Sequence, residues 1–157
     1  MRRPAALLAS LALLAAAGAT APAQAQDHAQ ARSSAGKYAR QAFAATNANR
    51  THEGLKALKP QDCVKRAAVR QAKAMAQQER MFHQDLGAVL RACKLSTAGE
   101  NVAAGFPSGR SVVNDGWMNS EGHRANILNP SFRLMGIGAR KGHDGRWYVA
   151  QVFGRTA

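Results

Sequence analysis

The feature that most constrains the fold is a pair of apolar segments near the C-terminus, separated by a tight turn. The segments span residues 134–140 and 146–153, and Asp144-Gly145 between them is a strong β-hairpin signal. Alternate residues of a strand point to opposite faces, and both faces of the second segment are apolar. One face carries Trp147, Val149 and Phe153, and the other carries Tyr148, Ala150 and Val152. Such a strand has to be covered on both sides.

Helices are expected to form the covering layers, because helical periodicity dominates the first half of the chain. Apolar residues recur at helical spacing from Lys37 to about Gly54, which predicts a first helix. A second helix is predicted to begin near Asp62 and to run for about 19 residues, or roughly 28 Å. Its buried face is predicted to contain Val64, Ala68, Ala72, Met75 and Ala76.

Two shorter helices are predicted further along the chain. Ser108 is a candidate cap for a helix that reaches Trp117. Ser120 is a candidate cap for a helix from Glu121 to Leu128, which Asn129-Pro130 ends. Helices early and a hairpin late, with one strand covered on both sides, predict an α+β fold: a three-layer α-β-α sandwich with a C-terminal β-hairpin.

The first 25 residues have the composition of a secretory signal peptide. Arg2 and Arg3 precede an apolar run, and Ala23-Gln24-Ala25 provides the small residues of a cleavage site. No segment reaches the roughly 18 apolar residues that a confident membrane-spanning helix needs. We therefore expect an exported protein, periplasmic or extracellular, without a transmembrane segment after cleavage. Residues 26–36 are expected to form a flexible mature N-terminus, and residues 37–157 a single domain.

The chain is strongly basic, with 22 Lys and Arg residues against 9 Asp and Glu residues. Loss of Arg2 and Arg3 with the signal peptide would leave a formal charge of 22 − 2 − 9 = +11. The basic residues are scattered and no nucleic-acid-binding module accompanies them, which argues against specific nucleic-acid binding. The charge makes an anionic component of the cell envelope a candidate partner. The alternative is that most of these charges form a solvated face.

Two cysteines, Cys63 and Cys93, remain after export. In an oxidising compartment, a single disulfide between them is the natural pairing. Such a bridge would stabilise the fold by roughly 3.5 to 4 kcal/mol in the loop-entropy description. It would also fasten the intervening segment, which contains His83. The alternative is a pair of buried free thiols.

His83, Glu100 and His123 are the candidates for chemistry. Glu100 stands out because it lies in a short, otherwise apolar segment, 100–104, that follows a turn-like stretch, 94–99. Two histidines and a carboxylate from separate segments can bind a divalent metal with open positions, or divide proton-transfer roles. Spacing alone does not bring them together, and a lone histidine beside an apolar segment is more often structural.

Four segments, taken in order, resemble the short bacterial SCP-like branch of the CAP superfamily. That superfamily includes the cysteine-rich secretory proteins, antigen 5 and the pathogenesis-related 1 proteins. The segments are GENV at 99–102, WMNSEGHRANIL at 117–128, GIG at 136–138 and WYVAQVFG at 147–154. The resemblance implies an exported α-β-α sandwich. It also implies a cleft lined by two histidines and two acidic residues that can hold a divalent ion, often zinc.

Carried over residue by residue, the resemblance implies that His83, Glu100 and His123 line this cleft and bind the metal. The fourth position departs from the pattern. Longer members have a glutamate three residues after the tryptophan, where this chain has Ser120. Glu121 is adjacent, but a shift of one residue turns a helical side chain by about 100°. Ser120 and Glu121 are therefore candidate cleft neighbours.

Two functions follow from these residues. The favoured one is a non-catalytic binding or interaction module, whose cleft binds zinc or another divalent metal, a small amphipathic lipid-like ligand, or both. The alternative is a peptidase-like hydrolase, in which His83 or His123 acts as a base and Glu100 orients it or holds metal-bound water. A nucleophilic version needs Ser120 beside His123, whereas a capping serine is expected to bond to the backbone. The sequence has no nucleophile elbow and no paired-histidine zincin helix, which favours binding.

Overall fold

The computed structural model describes residues 23–156, and most of the predicted signal peptide, residues 1–22, lies outside the described residues. Five α-helices and one four-stranded sheet form the described part of the chain. The helices are α1 (Ala23–His52), α2 (Asp62–Gln78), α3 (Leu86–Cys93), α4 (Gly109–Ser111) and α5 (Glu121–Leu128). None of the described helices is both long and apolar enough to cross a membrane.

The sheet is built around the C-terminal hairpin. Its strands are β1 (Lys59–Pro60), β2 (Leu95–Ala104), β3 (Leu134–Lys141) and β4 (Trp147–Thr156), in the order β1-β3-β4-β2. Strand β4 pairs antiparallel with both β3 and β2, and β1 adds a short parallel pairing to β3. The turn between β3 and β4 contains Gly145 at a φ of 77°, a conformation that favours glycine. The predicted hairpin is therefore confirmed, and β2 forms one edge of the sheet.

The central strand β4 is covered on both faces, as predicted. Val149 and Phe153 pack in one apolar cluster, with residues of α1, β3 and the helical segments after β2. Tyr148, Ala150 and Val152 pack in a second cluster, with residues of α2 and α3. The two clusters lie on opposite sides of the sheet, because successive side chains of a strand alternate. The molecule is the three-layer α-β-α sandwich that the sequence predicts.

Helix α2 packs very closely on β3, and two glycines of the strand allow this approach. A Cβ atom at Gly136 would lie 2.3 Å from the backbone nitrogen of Lys65, and one at Gly138 would lie 2.3 Å from the carbonyl oxygen of Ala68. Neither contact is sterically allowed. The Gly-Ile-Gly segment is therefore a packing surface for α2, consistent with its position in a strand.

The first helix is longer than the sequence predicts. Residues 26–36, expected to be flexible, lie within α1, which begins at Ala23 and ends at His52. This segment is rich in alanine and glutamine, which have high helix propensity. Once a helix is nucleated by packing from Tyr38 onward, such residues extend it without apolar periodicity. The predicted C-terminal end near Gly54 agrees with the structure.

The connection between α2 and β2 also differs from the prediction. Residues 94–99 are not a turn, since Leu95–Ala104 is a single strand and only Lys94, at a φ of 52°, turns the chain. Helix α3 was not expected because eight residues give too few turns for a periodic signal. Helix α2 begins at Asp62 as predicted, but its cap is Gln61, whose side chain accepts a hydrogen bond from the Val64 N–H at 2.7 Å.

The segment that reaches Trp117 begins with the predicted cap. Ser108 Oγ accepts a hydrogen bond from the Ser111 N–H at 3.1 Å. The helix then changes to a π-helical turn, Val112–Gly116, and to a 3-10 turn, Trp117–Asn119. Trp117 is buried, and its indole N–H donates to the carbonyl oxygen of Val102 at 3.3 Å. This residue is therefore part of the core.

The disulfide between Cys63 and Cys93 is present, with the two Cα atoms 5.6 Å apart. It joins the first turn of α2 to the last residue of α3. The irregular connection 79–85, which carries His83, lies inside the loop that the bridge closes. The predicted disulfide is therefore confirmed, and it closes the loop that contains this connection.

Candidate functional site

His83 and Glu100 are in direct contact. The Nδ1 atom of His83 lies 2.8 Å from Oε2 of Glu100. The connection that carries His83 is held from α2 by Gln71, whose side-chain amide donates to the carbonyl oxygen of Phe82. Asp85 then ends the connection by capping α3 through the Ala88 N–H. These contacts fix the position of His83 relative to the sheet.

The Glu100 carboxylate is buried and its oxygens are occupied. Its side chain has 0% exposure, whereas that of His83 has 60%. Gln84 donates twice to it, from the backbone N–H to Oε2 at 3.2 Å and from Nε2 to Oε1 at 2.5 Å. Because a carboxylate accepts hydrogen bonds, its contact with His83 places the imidazole proton on Nδ1. In this tautomer, the Nε2 atom of His83 has a lone pair for a ligand.

His123 is held in a similar way by Ser120. Its Nδ1 atom lies 2.9 Å from the Ser120 hydroxyl oxygen, one helical turn away. Ser120 occupies the N-cap position of α5, but its side chain makes no capping hydrogen bond. The expectation that this hydroxyl would bond to the backbone is therefore wrong. The hydroxyl bonds to the imidazole instead, because residues three apart lie on the same side of a helix.

The pKa of His123 is lowered, first by burial and second by the positive charge of the nearby His83. Burial disfavours the charged imidazolium, and a second imidazolium close by repels it. Both effects favour the neutral form of His123, which is the form in which an imidazole can bind a metal ion. The second cause identifies His83 as a charged neighbour of His123.

Strand β2, at the edge of the sheet, contacts His83 from one of its faces and His123 from the other. Glu100 pairs in register with Val152, which faces α2, whereas Asn101 pairs with Gln151 on the other face. The Asn101 side-chain amide donates to the carbonyl oxygen of His123 at 3.1 Å. Two adjacent residues of one strand thus hold His83 in one layer and His123 in the other. We call the group of His83, Glu100, Ser120 and His123 the histidine site.

A network of buried side-chain amides connects the histidine site to the rest of the fold. Asn126 donates from Nδ2 to the carbonyl oxygen of Glu100 at 3.1 Å and to Oδ1 of Asn101 at 2.9 Å. Asn101 donates to Oε1 of Gln151 at 3.1 Å, and Gln151 donates to Oγ1 of Thr46 in α1 at 2.7 Å. No buried side-chain polar atom of the described residues lacks a hydrogen-bond partner. The network therefore joins α1, β4, β2 and α5.

Glu121 is not among the hydrogen-bond partners of either imidazole ring in the described residues. It is exposed and lines a surface cavity of about 540 Å³ with other residues of α5 and of the segment that follows. No hydrogen bond in the described part of the chain links it to His83 or His123. The position three residues after Trp117 is thus filled by Ser120, which touches His123, and not by Glu121.

A direct three-ligand metal site is not assembled in the described residues. Within residues 23–156, no group of three or more His, Cys, Asp or Glu side chains is arranged to hold a metal ion. The Glu100 oxygens face Gln84 and His83 instead. The chemistry of this donor set fits a site with two imidazole ligands, in which Glu100 holds one ring in place.

Surface cavities are found away from the histidine site. One of about 610 Å³ is formed by α1 and the segment around Asn114, and its lining is mainly alanine and polar residues. The histidines are still the better candidate site, because a polar side chain orients each imidazole. A wide surface groove alone does not indicate a specific chemistry.

The fold is an α-β-α sandwich with the histidine site at one edge of its sheet, and comparisons with known proteins assign the chain to a family. The cysteine-rich secretory protein family, CAP, matches residues 43–153. The chain therefore belongs to this family.

The chain is also similar to a curated bacterial protein. The uncharacterized protein YkwD of Bacillus subtilis (strain 168) is 37% identical over 113 residues, which are 68% of this chain and 44% of that protein. The chain therefore spans less than half the length of this curated relative.

Solved structures of SCP-domain proteins are also similar. An extracellular protein containing an SCP domain from Bacillus anthracis str. Ames superposes with a TM-score of 0.71 and 28% identity, covering 89% of this chain and 45% of the other. A cysteine-rich secretory protein (SAV1118) from Staphylococcus aureus has a TM-score of 0.65 and 25% identity, covering 78% and 39%. The α-β-α arrangement is thus shared with bacterial members.

Proposed function

We propose that the chain is an exported binding module, periplasmic or extracellular, whose histidine site binds a divalent metal ion, with zinc as the favoured ion. Membership in a secretory family supports export. The observation that carries the binding proposal is the way the two rings are held. Both Nδ1 atoms have a partner, Glu100 for His83 and Ser120 for His123, which leaves both Nε2 atoms for a ligand.

Metal-binding histidines characteristically have their second ring nitrogen bonded to a carboxylate or another polar group. His83 and His123 would supply two ring nitrogens, and Glu100 would hold His83 instead of binding the metal directly. Zinc in proteins is usually four-coordinate, so water or an exogenous ligand would complete the site. When bound, the ion would supply Lewis acidity to that ligand.

Zinc titration of the chelator-treated full chain by calorimetry tests the proposal. We expect one equivalent to bind, and binding to be lost in the His83→Ala/His123→Ala double variant. The matched control is His52→Ala/His143→Ala, which removes two exposed histidines elsewhere on the surface and should bind zinc normally. Equal zinc binding by both double variants would refute the proposal.

A small amphipathic ligand is a second occupant that one feature supports. An apolar cavity of about 370 Å³ lies beside the sheet, with Ala39, Phe43, Met135 and Ile137 in its lining and Arg40 and Lys65 as its charged residues. Apolar walls with a few polar groups are typical of ligand sites. A fluorescent fatty acid should bind the wild type and bind more weakly to Ile137→Trp, which fills the cavity. Equal binding would exclude this location.

A hydrolase is the second candidate function, and the contact between Ser120 and His123 is what favours it. A hydroxyl within hydrogen-bond distance of an imidazole is the first element of a nucleophilic site. The third element is missing from this arrangement, because the Glu100 carboxylate is bonded to His83 and not to His123. A fluorophosphonate probe tests this function. Labelling that disappears in both Ser120→Ala and His123→Ala would establish a reactive serine, and no labelling would exclude one.

A further inference from the structure

The outer side of α2 is a cationic face formed by Lys65, Arg66, Arg70 and Lys73. All four side chains are exposed. Their spacing of one, four and three residues keeps them on the solvent side of a helix whose opposite side is buried in the core. Positive charges that are scattered in the sequence are thus gathered on one surface of the folded protein.

The cationic face has no ion-pair partner in the part of the chain that the structure describes. None of the ion pairs found among the described residues includes any of its four members. Asp62 is the one acidic residue in the groove of about 340 Å³ that Lys65, Arg66 and Arg70 line. Arg40 of α1 extends the positive surface, because it lines the apolar cavity together with Lys65. A face with this charge attracts an anionic partner.

An exposed apolar residue lies in the middle of the cationic face. Val69 is 48% exposed and lines the same groove as Lys65, Arg66 and Arg70. Met81, which is 54% exposed, follows the C-terminal end of α2. A soluble polyanion needs only positive charge, whereas the interfacial region of a lipid bilayer also accepts apolar side chains. The combination favours a membrane surface over a polysaccharide or a nucleic acid.

We propose that the cationic face docks the protein on an anionic phospholipid membrane, with α2 parallel to the surface. Lysine and arginine side chains would contact the lipid phosphates, and Val69 would enter the interfacial region. The buried side of α2 stays in the core, so docking needs no unfolding. This contact is separate from the histidine site and does not depend on metal binding.

Vesicle sedimentation of the full chain tests the proposal. We expect binding to mixed phosphatidylglycerol and phosphatidylcholine vesicles, little binding to phosphatidylcholine alone, and weakening as salt concentration rises. The triple variant Lys65→Glu/Arg70→Glu/Lys73→Glu should bind at least about a hundredfold more weakly, because each basic residue near an anionic surface contributes roughly fivefold. Far-UV circular dichroism checks that the variant is folded.

A charge-matched variant separates the face from the net charge. Lys56→Glu/Arg110→Glu/Arg155→Glu reverses three exposed basic residues outside α2 and should retain most of the binding. Equal loss in both triple variants would mean that net charge alone drives binding and would overturn the proposal. Val69→Ser should weaken binding to vesicles but not to dextran sulfate. If Val69→Ser leaves vesicle binding unchanged, the partner is a polyanion and the membrane proposal fails.

Discussion

Arg50 provides the sharpest test of how the fold holds α5, the helix that carries His123. The side chain is buried, with 1% exposure, and has no carboxylate partner among the described residues. It donates instead to three carbonyl oxygens: Nε to Lys56 at 3.0 Å, and Nη1 to Ile127 at 2.7 Å and Asn129 at 2.9 Å. Ile127 and Asn129 are at the C-terminal end of α5, where unpaired carbonyl groups and the helix dipole favour a cation.

Replacement of Arg50 by methionine would remove the cation and keep an apolar side chain of similar length. Each carbonyl group that loses its donor in a buried place costs roughly 1 to 3 kcal/mol. Burial of the guanidinium is itself unfavourable and lowers the pKa of Arg50. The variant removes this cost, which offsets part of the loss. We expect a net destabilisation of about 3 to 5 kcal/mol, a large share of the stability of a domain of this size. Arg50→Lys keeps the positive charge but has fewer hydrogen-bond donors. Its loss of unfolding free energy should be about half as large.

Urea unfolding monitored by tryptophan fluorescence measures these changes. With an m-value of about 2 kcal/mol per molar urea, the Arg50→Met midpoint should fall by roughly 2 M. Arg124→Met is the control, because Arg124 is on the same helix but is 50% exposed and makes only a surface ion pair with Glu53 at 3.8 Å. Its loss should stay within about 0.5 kcal/mol. If Arg50→Met is no less stable than Arg124→Met, the assigned role of the three carbonyl contacts is wrong.

Three further predictions concern the bridge, the imidazole and the glycine contact. The Cys63→Ser/Cys93→Ser variant should lose about 3.5 to 4 kcal/mol in urea unfolding, and the reduced wild type should match it. The folded-state pKa of His123 lies below its unfolded value, so this residue binds protons more readily in the unfolded chain and stability should fall as pH decreases through about 6.5. Urea unfolding at several pH values should show that the free energy of unfolding depends less on pH in His123→Gln than in the wild type. An unchanged pH dependence would contradict the lowered pKa of His123. Gly136→Ala places a Cβ atom 2.3 Å from a backbone nitrogen of α2 and should destabilise by at least about 1 to 3 kcal/mol, whereas Gly122→Ala, with no atom within 4 Å, should be neutral or slightly stabilising.

The layers of the fold were predictable from the sequence because periodicity reports burial directly. The two apolar faces of β4 require two layers, and the apolar side of α2 supplies one of them. Periodicity fails where burial does not control the structure. Residues 26–36 are helical through propensity and through continuity with the packed part of α1, and neither leaves an apolar pattern. Helix α3 is too short for a pattern to form.

The candidate site was predictable in its members but not in their roles. Residue type and segment context selected His83, Glu100 and His123, because few titratable side chains lie beside apolar segments. Which group bonds to which ring depends on tertiary contacts that no spacing encodes. The partner of His123 is Ser120, which the sequence presents as a helix cap. Gln84, which occupies both oxygens of Glu100, has no sequence signal beyond its position next to His83.

The position of the site at the edge of the sheet follows from the alternation of side chains in β2. Glu100 and Asn101 are neighbours in this strand, so they must face opposite layers. Glu100 can therefore reach only the connection after α2, and Asn101 only the side of α5, which is where their contacts with His83 and the His123 carbonyl group lie. Two imidazoles from different layers can approach each other only beyond the edge of a sheet, since a central strand would have neighbours on both sides. The edge position of β2 is thus compatible with the proposed two-histidine site and accounts for the partial access of both histidines to solvent.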